Sequence, residues 1–410
     1  MIAHSKKRMK SFRLSAIGYQ LSASGQPPGA ARSDETRVNR ALRIAFSGGG
    51  TGGHLFPGIA MAQEFVARNC ASKILFVSTG NALEQAVLSR AGFELHPITA
   101  AGIKGRGVWN QLKAVLKIPR GMVQALGILK KFSPDLVLGL GSYSAGPVVV
   151  AAWLLRIPVV IHEQNILPGI TNRILARFAR RIYISFENTR GTMNPDKVCW
   201  TGNPVRQELF GNAGRPEDST IQDSDRQRFT VLIIGGSQGA HRINMAVIEA
   251  LEHFKGKKGL HFAHQTGQSD EQPIKEAYRQ QAVSATVQAF FDDMARQYRQ
   301  ADLIVCRAGA TTVAEITALG KAAIFIPFPH AADNHQVLNA ADLVQAGAAE
   351  IIVEKDLSGK RLCEKIEHYI DHREALKDMA ARAQHFGKPQ AAKDIVDDCY
   401  RLLAAGNPEP

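Results

Sequence analysis

Residues 42–68 read LRIAFSGGGTGGHLFPGIAMAQEFVAR. The first five form a short apolar run of strand character, the glycines after them permit a tight turn, and PGIAMAQEFVAR (57–68) spaces its apolar residues as a helix does. That order is the opening unit of a parallel sheet covered by helices, and it recurs. KILFV (73–77), DLVLGL (135–140) and PVVIH (158–162) are further strand candidates, with helical patterns such as LEQAVLSRAG (83–92) between them. A polar stretch, Gly211 to Arg228, interrupts the series and reads as a linker, placed at 207–228. Beyond it the pattern restarts with FTVLIIG (229–235), GLHFAHQ (259–265), DLIVC (302–306), AAIFIPF (322–328) and EIIVE (350–354). A chain of 410 residues is too long for one ordinary core. The expectation is an α/β protein of two Rossmann-like, doubly wound parallel-sheet domains facing a cleft.

Composition excludes several classes. With 45% hydrophobic and 21% charged residues the chain is neither disordered nor fibrous. Its five cysteines are scattered without CxxC spacing, which argues against a disulfide framework or a structural zinc and for a reducing compartment. The longest apolar stretch, 147–161, carries Arg156 and Pro158 and reads as a helix then a buried strand, not a membrane span. Residues 1–40 are a basic tail whose apolar part is too diluted for a cleaved signal peptide.

The net charge of +13 is unevenly placed: Lys and Arg number 8 against 2 acids in residues 1–40, 18 against 7 in 41–200, and 24 against 28 beyond. Such asymmetry suggests an anionic partner for the first half. No acid stands between Glu94 and Asp135, while Lys104, Arg106, Lys113, Lys117, Arg120, Lys130 and Lys131 alternate with apolar residues. This amphipathic stretch suits an anionic membrane surface, or caps a core with its apolar side. Aromatic content of 7% and the lack of a recognition module argue against nucleic acid.

Three glycine loops carry the first chemistry: SGGGTGGHLFPG (47–58), GLGSYSAGP (139–147) and IGGSQGAHRIN (234–244). Each follows a strand and precedes a helix, where backbone N–H groups can meet an anion. None fits the dinucleotide or P-loop fingerprint, so an NAD oxidoreductase and a P-loop NTPase both lose ground. Further on, residues 290–340 hold a longer constellation. Gly309 and Ala310 open a helix, and Glu315, a turn and a half into it, can accept both ribose hydroxyls of a nucleotide whose diphosphate sits over the helix end; an ordinary stabilising charge is the alternative. His335 and Gln336 stand at the next helix start. Asp292 and Asp293 are adjacent and begin a helix, so no DxD metal site is expected, and no cofactor.

Taken in order, GGGTGGHLFPG (48–58), HEQN (162–165), TGNPVR (201–206), GGSQGA (235–240), FFDDM (290–294), RAGATTVAE (307–315) and HQVLNA (335–340) resemble the MurG family of peptidoglycan glycosyltransferases. The resemblance runs from about Leu42 to the last helix. It implies the GT-B architecture, with an acceptor- and membrane-facing domain over 41–206, a UDP-GlcNAc-binding domain over 229–388, and a C-terminal helix, 389–405, returning to the first domain. The implied reaction moves GlcNAc from UDP-GlcNAc onto the 4-hydroxyl of MurNAc in lipid I, with inversion, at the cytoplasmic face of the inner membrane. A GT-B enzyme for another lipid or natural-product acceptor is the alternative. Implied protein partners are cell-wall synthesis and division proteins.

By that resemblance, donor contacts fall on Thr51, Gly52, Gly53, Asn165, Arg206, Ser237, Phe291, Ala310, Thr311, Thr312, Val313, Ala314, Glu315 and Gln336. The acceptor diphosphate falls on Gly49, Gly50, Ser142, Tyr143 and Gly146. His54 is the first choice as general base and Glu163 the second. This chain departs from the family at Ser142, usually Gly, and at Ala308 and Phe291.

Overall fold

The computed structural model describes residues 40–100, 108–191, 193–211, 228–236, 239–329 and 334–406, with backbone alone at 108–118. Within them the first domain holds β1 (Arg43–Ser47), α1 (Gly52–Arg68), β2 (Lys73–Ser78), α2 (Ala82–Arg90), β3 (Glu94–Pro97), α3 (Val108–Phe132), β4 (Leu136–Gly139), α4 (Ala145–Leu154), β5 (Val159–Glu163), α5 (Ile170–Leu175), β6 (Arg181–Ile184) and β7 (Val198–Trp200). The second holds β8 (Phe229–Ile234), α6 (His241–Leu251), β9 (Leu260–Gln265), α7 (Glu271–Gln280), β10 (Ala285–Gln288), α8 (Met294–Gln300), β11 (Leu303–Cys306), α9 (Ala310–Ala318), β12 (Ala322–Phe325), α10 (His335–Gln345), β13 (Glu350–Ile351), α11 (Gly359–Asp371) and α12 (Arg373–His385).

Both sheets are parallel. Their orders are β3-β2-β1-β4-β5-β6-β7 and β10-β9-β8-β11-β12-β13. Chain direction across each sheet reverses between β1 and β4, and again between β8 and β11. Those are the switch points where ligands enter doubly wound sheets, beyond the carboxyl ends of the strands. Central strands are buried on both faces by helices, which is why LRIAF and FTVLII are apolar almost throughout.

The last helix, α13 (Ala391–Ala404), leaves the second domain and packs on α1. Its Ile395, Val396, Cys399 and Tyr400 join the core of the first domain beside Phe65. Tyr183 Oη donates to Asp398 at 3.0 Å, and Arg68 pairs with Asp397. Burying this apolar stripe ties the domains at a second crossing.

The structure differs from the sequence reading in three places. Strands β3, β6, β7 and β10 add to those expected. Residues 207–210, read as the start of the linker, form a 3-10 turn with Leu209 buried against the second domain; residues 212–227 lie outside the described residues. Helix α1 begins at Gly52 and so contains Pro57.

Candidate active site

Pro57 has no N–H to offer the carbonyl four residues before it, that of Gly53. The freed oxygen accepts a hydrogen bond from Thr311 Oγ1, on α9 of the opposite domain, at 3.0 Å. The glycine loop of one sheet therefore touches the glycine-initiated helix of the other. Nearby, Asn339 on α10 takes the Ile166 N–H on its Oδ1 at 3.1 Å and donates to Asn165 Oδ1 at 3.3 Å and to the Ala308 carbonyl.

His54 sits in the first turn of α1, its Nδ1 3.2 Å from Thr51 Oγ1. A Cβ on Gly141 would come within 3.3 Å of its ring, so the imidazole lies between the first and second glycine loops. The residue keeps some exposed surface, yet burial of the ring, with the His335 imidazole in electrostatic reach, pushes its pKa down to about 4. Below it His162 is buried outright and held at about 4 for the same first reason.

Glu163 is buried too. Its Oε1 accepts from Asn165 N–H at 2.9 Å and its Oε2 from Asn172 Nδ2 at 2.8 Å and Gly169 N–H at 3.2 Å; burial raises its pKa against these donors. The carboxylate thus organises the loop 163–172.

In the first loop, Gly50 N–H is donated to Glu84 Oε1 at 2.6 Å, so it is spent within the protein and not offered to a diphosphate. Gly49 packs on the same carboxylate. In the second loop Ser142 adopts φ +68°, the conformation glycine takes freely, with exposed Tyr143 beside it and Gly146 in the first turn of α4.

On α9, Gly309 is the N-cap, and the first-turn N–H groups of Ala310, Thr311 and Thr312 have no intrahelical partners. Val313 N–H is bonded to the Gly309 carbonyl at 2.9 Å and its side chain lies in the core, so of the expected contacts Val313 offers no donor. Glu315 is 5% exposed; its Oε1 takes Arg206 Nη2 at 3.1 Å and its Oε2 takes Tyr298 Oη at 2.9 Å. The Arg206 guanidinium also stacks 4.2 Å over the Phe56 ring of α1. Phe291 is buried and donates its N–H to Gln265 Oε1 at 3.1 Å. Gln336 Oε1 accepts Phe328 N–H at 2.9 Å, which leaves its amide nitrogen as a donor. Ser237 lies outside the described residues.

The fold therefore gathers His54, Thr51, Gly52, Gly53, Asn165 and Arg206 of the first half with Thr311 and Glu315 of the second. Glu84, Tyr298, Asn339 and Asn172 carry the arrangement without having been singled out in the sequence; the Asn81–Glu84 capping box, spaced three residues apart, was the one local signal.

Residues 44–184 match the glycosyltransferase family 28 N-terminal domain and residues 230–395 the glycosyltransferase family 28 C-terminal domain. The UDP-N-acetylglucosamine--N-acetylmuramyl-(pentapeptide) pyrophosphoryl-undecaprenol N-acetylglucosamine transferase of Syntrophus aciditrophicus (strain SB) is 46% identical over 363 residues, covering 88% of this chain and 99% of that one. The protein of the same name from Geobacter sulfurreducens is 47% identical over 358 residues, covering 87% and 98%. Among solved structures, Acinetobacter baumannii MurG superposes with a TM-score of 0.67 at 31% identity, covering 88% of this chain and 99% of that one. UDP-GlcNAc 2-epimerase from Neisseria meningitidis, at 17% identity and a TM-score of 0.62 over 88% of this chain and all of that one, shares the fold alone. With both halves of the chain matched and relatives this similar over nearly their whole length, the chain belongs to the MurG family of glycosyltransferases.

Proposed function

We propose that the chain moves GlcNAc from UDP-GlcNAc to the 4-hydroxyl of MurNAc in lipid I, forming lipid II with inversion at the anomeric carbon. The observation that carries this reading is the meeting of His54, between two glycine loops, with the start of α9 across the cleft, bridged by Thr311 and Gly53. The names of the relatives supply the substrates.

The donor diphosphate lies over α9, where Ala310, Thr311 and Thr312 present N–H groups at the positive helix end. Glu315 accepts the ribose hydroxyls, held in place by Tyr298. The backbone carbonyl of Phe291, whose N–H is spent on Gln265, meets the uracil, and the Gln336 amide nitrogen meets GlcNAc hydroxyls. The acceptor diphosphate lies against the 142–146 loop, with Gly49 and Gly50 shaping the floor beneath, while Thr51, Gly52 and Gly53 meet the donor. His54 acts through Nε2, which requires the tautomer whose Nδ1–H donates to Thr51 Oγ1. Nε2 takes the proton as the acceptor O4 bonds to the anomeric carbon; the carbon–oxygen bond to UDP breaks and its electron pair leaves on the β-phosphate. Arg206 stabilises that departing charge; its buried Nε, without a partner among the described residues, supports this role. Radiolabel transfer from UDP-GlcNAc to a short-chain lipid I analogue tests the reading. Transfer is expected, and its absence with intact UDP binding would direct attention to another acceptor.

No helix among the described residues is long and apolar enough to cross a membrane. The lipid-linked acceptor is reached from the membrane surface, through a face made by α3, α4 and α5. There Val123, Trp153, Leu154, Ile170 and Ile174 are exposed together with Arg120, Lys130, Arg156, Arg173 and Arg177. Apolar side chains ringed by basic ones suit an anionic headgroup layer. Lys104 and Arg106 lie outside the described residues, as do the side chains of Lys113 and Lys117.

A further inference from the structure

Glu84, on α2, is a carboxylate with 0% exposure, and no Lys or Arg among the described residues pairs with it. Four donors surround it instead. Its Oε1 accepts Gly50 N–H and Ser78 Oγ, each at 2.6 Å; its Oε2 accepts Asn81 N–H at 2.9 Å and Thr79 Oγ1 at 3.2 Å. Asn81 returns the contact, taking Glu84 N–H on Oδ1 and reaching the Gly50 carbonyl with Nδ2. Ser78 Oγ lies 3.1 Å from the hydroxyl of Ser144, itself buried at the start of α4. A Cβ on Gly49 would sit 2.2 Å from Glu84 Oε1, so the loop closes on the carboxylate only with glycine there.

We infer that Glu84 is a positioning residue for the acceptor: a buried carboxylate that ties down the Gly50 N–H of the first glycine loop and, through Ser78 and Ser144, fixes that loop against the second. A buried charge left with good donors rigidifies its surroundings, whereas one with a lost partner is costly. Because the Glu84 carboxylate bonds Gly50, Ser78, Thr79 and Asn81 and makes no hydrogen bond to α9 or to a residue assigned to the donor, its effect should fall mainly on the acceptor half. The inference rests on reading the two loops as the acceptor-diphosphate cradle.

The test uses the full chain carrying Glu84→Gln, an isostere whose amide nitrogen must stand either against the Gly50 N–H and Ser78 hydroxyl or against the Asn81 N–H and Thr79 hydroxyl. UDP affinity by calorimetry should stay within about twofold, while the KM for a short-chain lipid I analogue should rise by about tenfold or more, the size expected when a charge-assisted bond is lost. Ser78→Ala, which removes one of the four donors to Glu84 together with the strut to Ser144, should raise the same KM by a smaller factor and carries the test if Glu84→Gln does not fold. Equal losses for UDP and acceptor, or a fall in melting temperature with an unchanged acceptor KM, would overturn the role of Glu84. A wild-type chain that binds UDP but does not transfer to the analogue would overturn the loop reading, and this inference with it.

Discussion

At neutral pH the His54 imidazole is uncharged, because burial and His335 hold its pKa to about 4. A base must be neutral to accept a proton, but one so weak takes it reluctantly, and its best pKa lies near the working pH. On the proposed reading two bound diphosphates would bring negative charge beside the ring, which raises a histidine pKa toward that value, so that substrate binding tunes the base. His54→Ala should lower turnover by roughly 100-fold to 10,000-fold, the usual contribution of a general base, with UDP affinity little changed. Lost acceptor binding with turnover preserved would instead make His54 a diphosphate ligand. At this scale His54 and Gln336 could be singled out because each stands at a glycine turn or helix start, and Glu315 because it follows such a start by a turn and a half. Tyr298 and Asn339 were not, since their roles come from partners that meet only in three dimensions: Tyr298 from Glu315, and Asn339 from Asn165 and Ile166.

Among elements, the strands read from sequence are the apolar ones at the centre of each sheet. β3, β7 and β10 lie at sheet edges and are half exposed, so ELHP, VCW and ATVQ lack a continuous apolar run; RIYI of β6 is too short to stand out. The helical spacing read from sequence begins at Pro57, and proline ordinarily stands at the opening of a helix. The preceding glycines nonetheless turn helically, and the proline inside frees the Gly53 carbonyl for Thr311. Helices α3, α4 and α5 share the exposed apolar and basic face, and a prediction belongs to it. Ile170→Glu with Ile174→Glu should weaken binding to anionic vesicles, and charge reversal at Arg120 and Lys130 should reduce its salt dependence, each basic residue contributing about 1 kcal/mol. Co-sedimentation at two salt concentrations reads both effects; unchanged binding would remove this face from the membrane account.

For the molecule as a whole, buried histidines link stability to pH. His162 and His264 are fully buried, with pKa values pushed down to about 4 and about 3 by loss of solvent. An unfolded histidine titrates near 6.5, so below that pH the unfolded chain binds more protons than the folded one and stability must fall. The loss begins near pH 6.5 and continues toward pH 4, with a slope of up to about 3 kcal/mol per pH unit for the two groups together. Glu163, whose pKa burial raises, works in the opposite direction at the acid end. Urea unfolding between pH 7 and 5 should show the decline, and His264→Gln should flatten it by up to about 1.4 kcal/mol per pH unit. An unaltered slope would mean that His264 titrates alike in both states. The two-domain architecture itself was plain from the recurring strand, turn and helix, whereas the closeness of the two glycine-rich ends was not, because it depends on how the domains meet. On the proposed reading His54 stands between donor and acceptor as the base, and the displacement is direct. Proton NMR of the disaccharide made from UDP-GlcNAc and the lipid I analogue tests this most directly: a β linkage from GlcNAc to O4 of MurNAc is predicted, and an α linkage, or attachment at another oxygen, would contradict it.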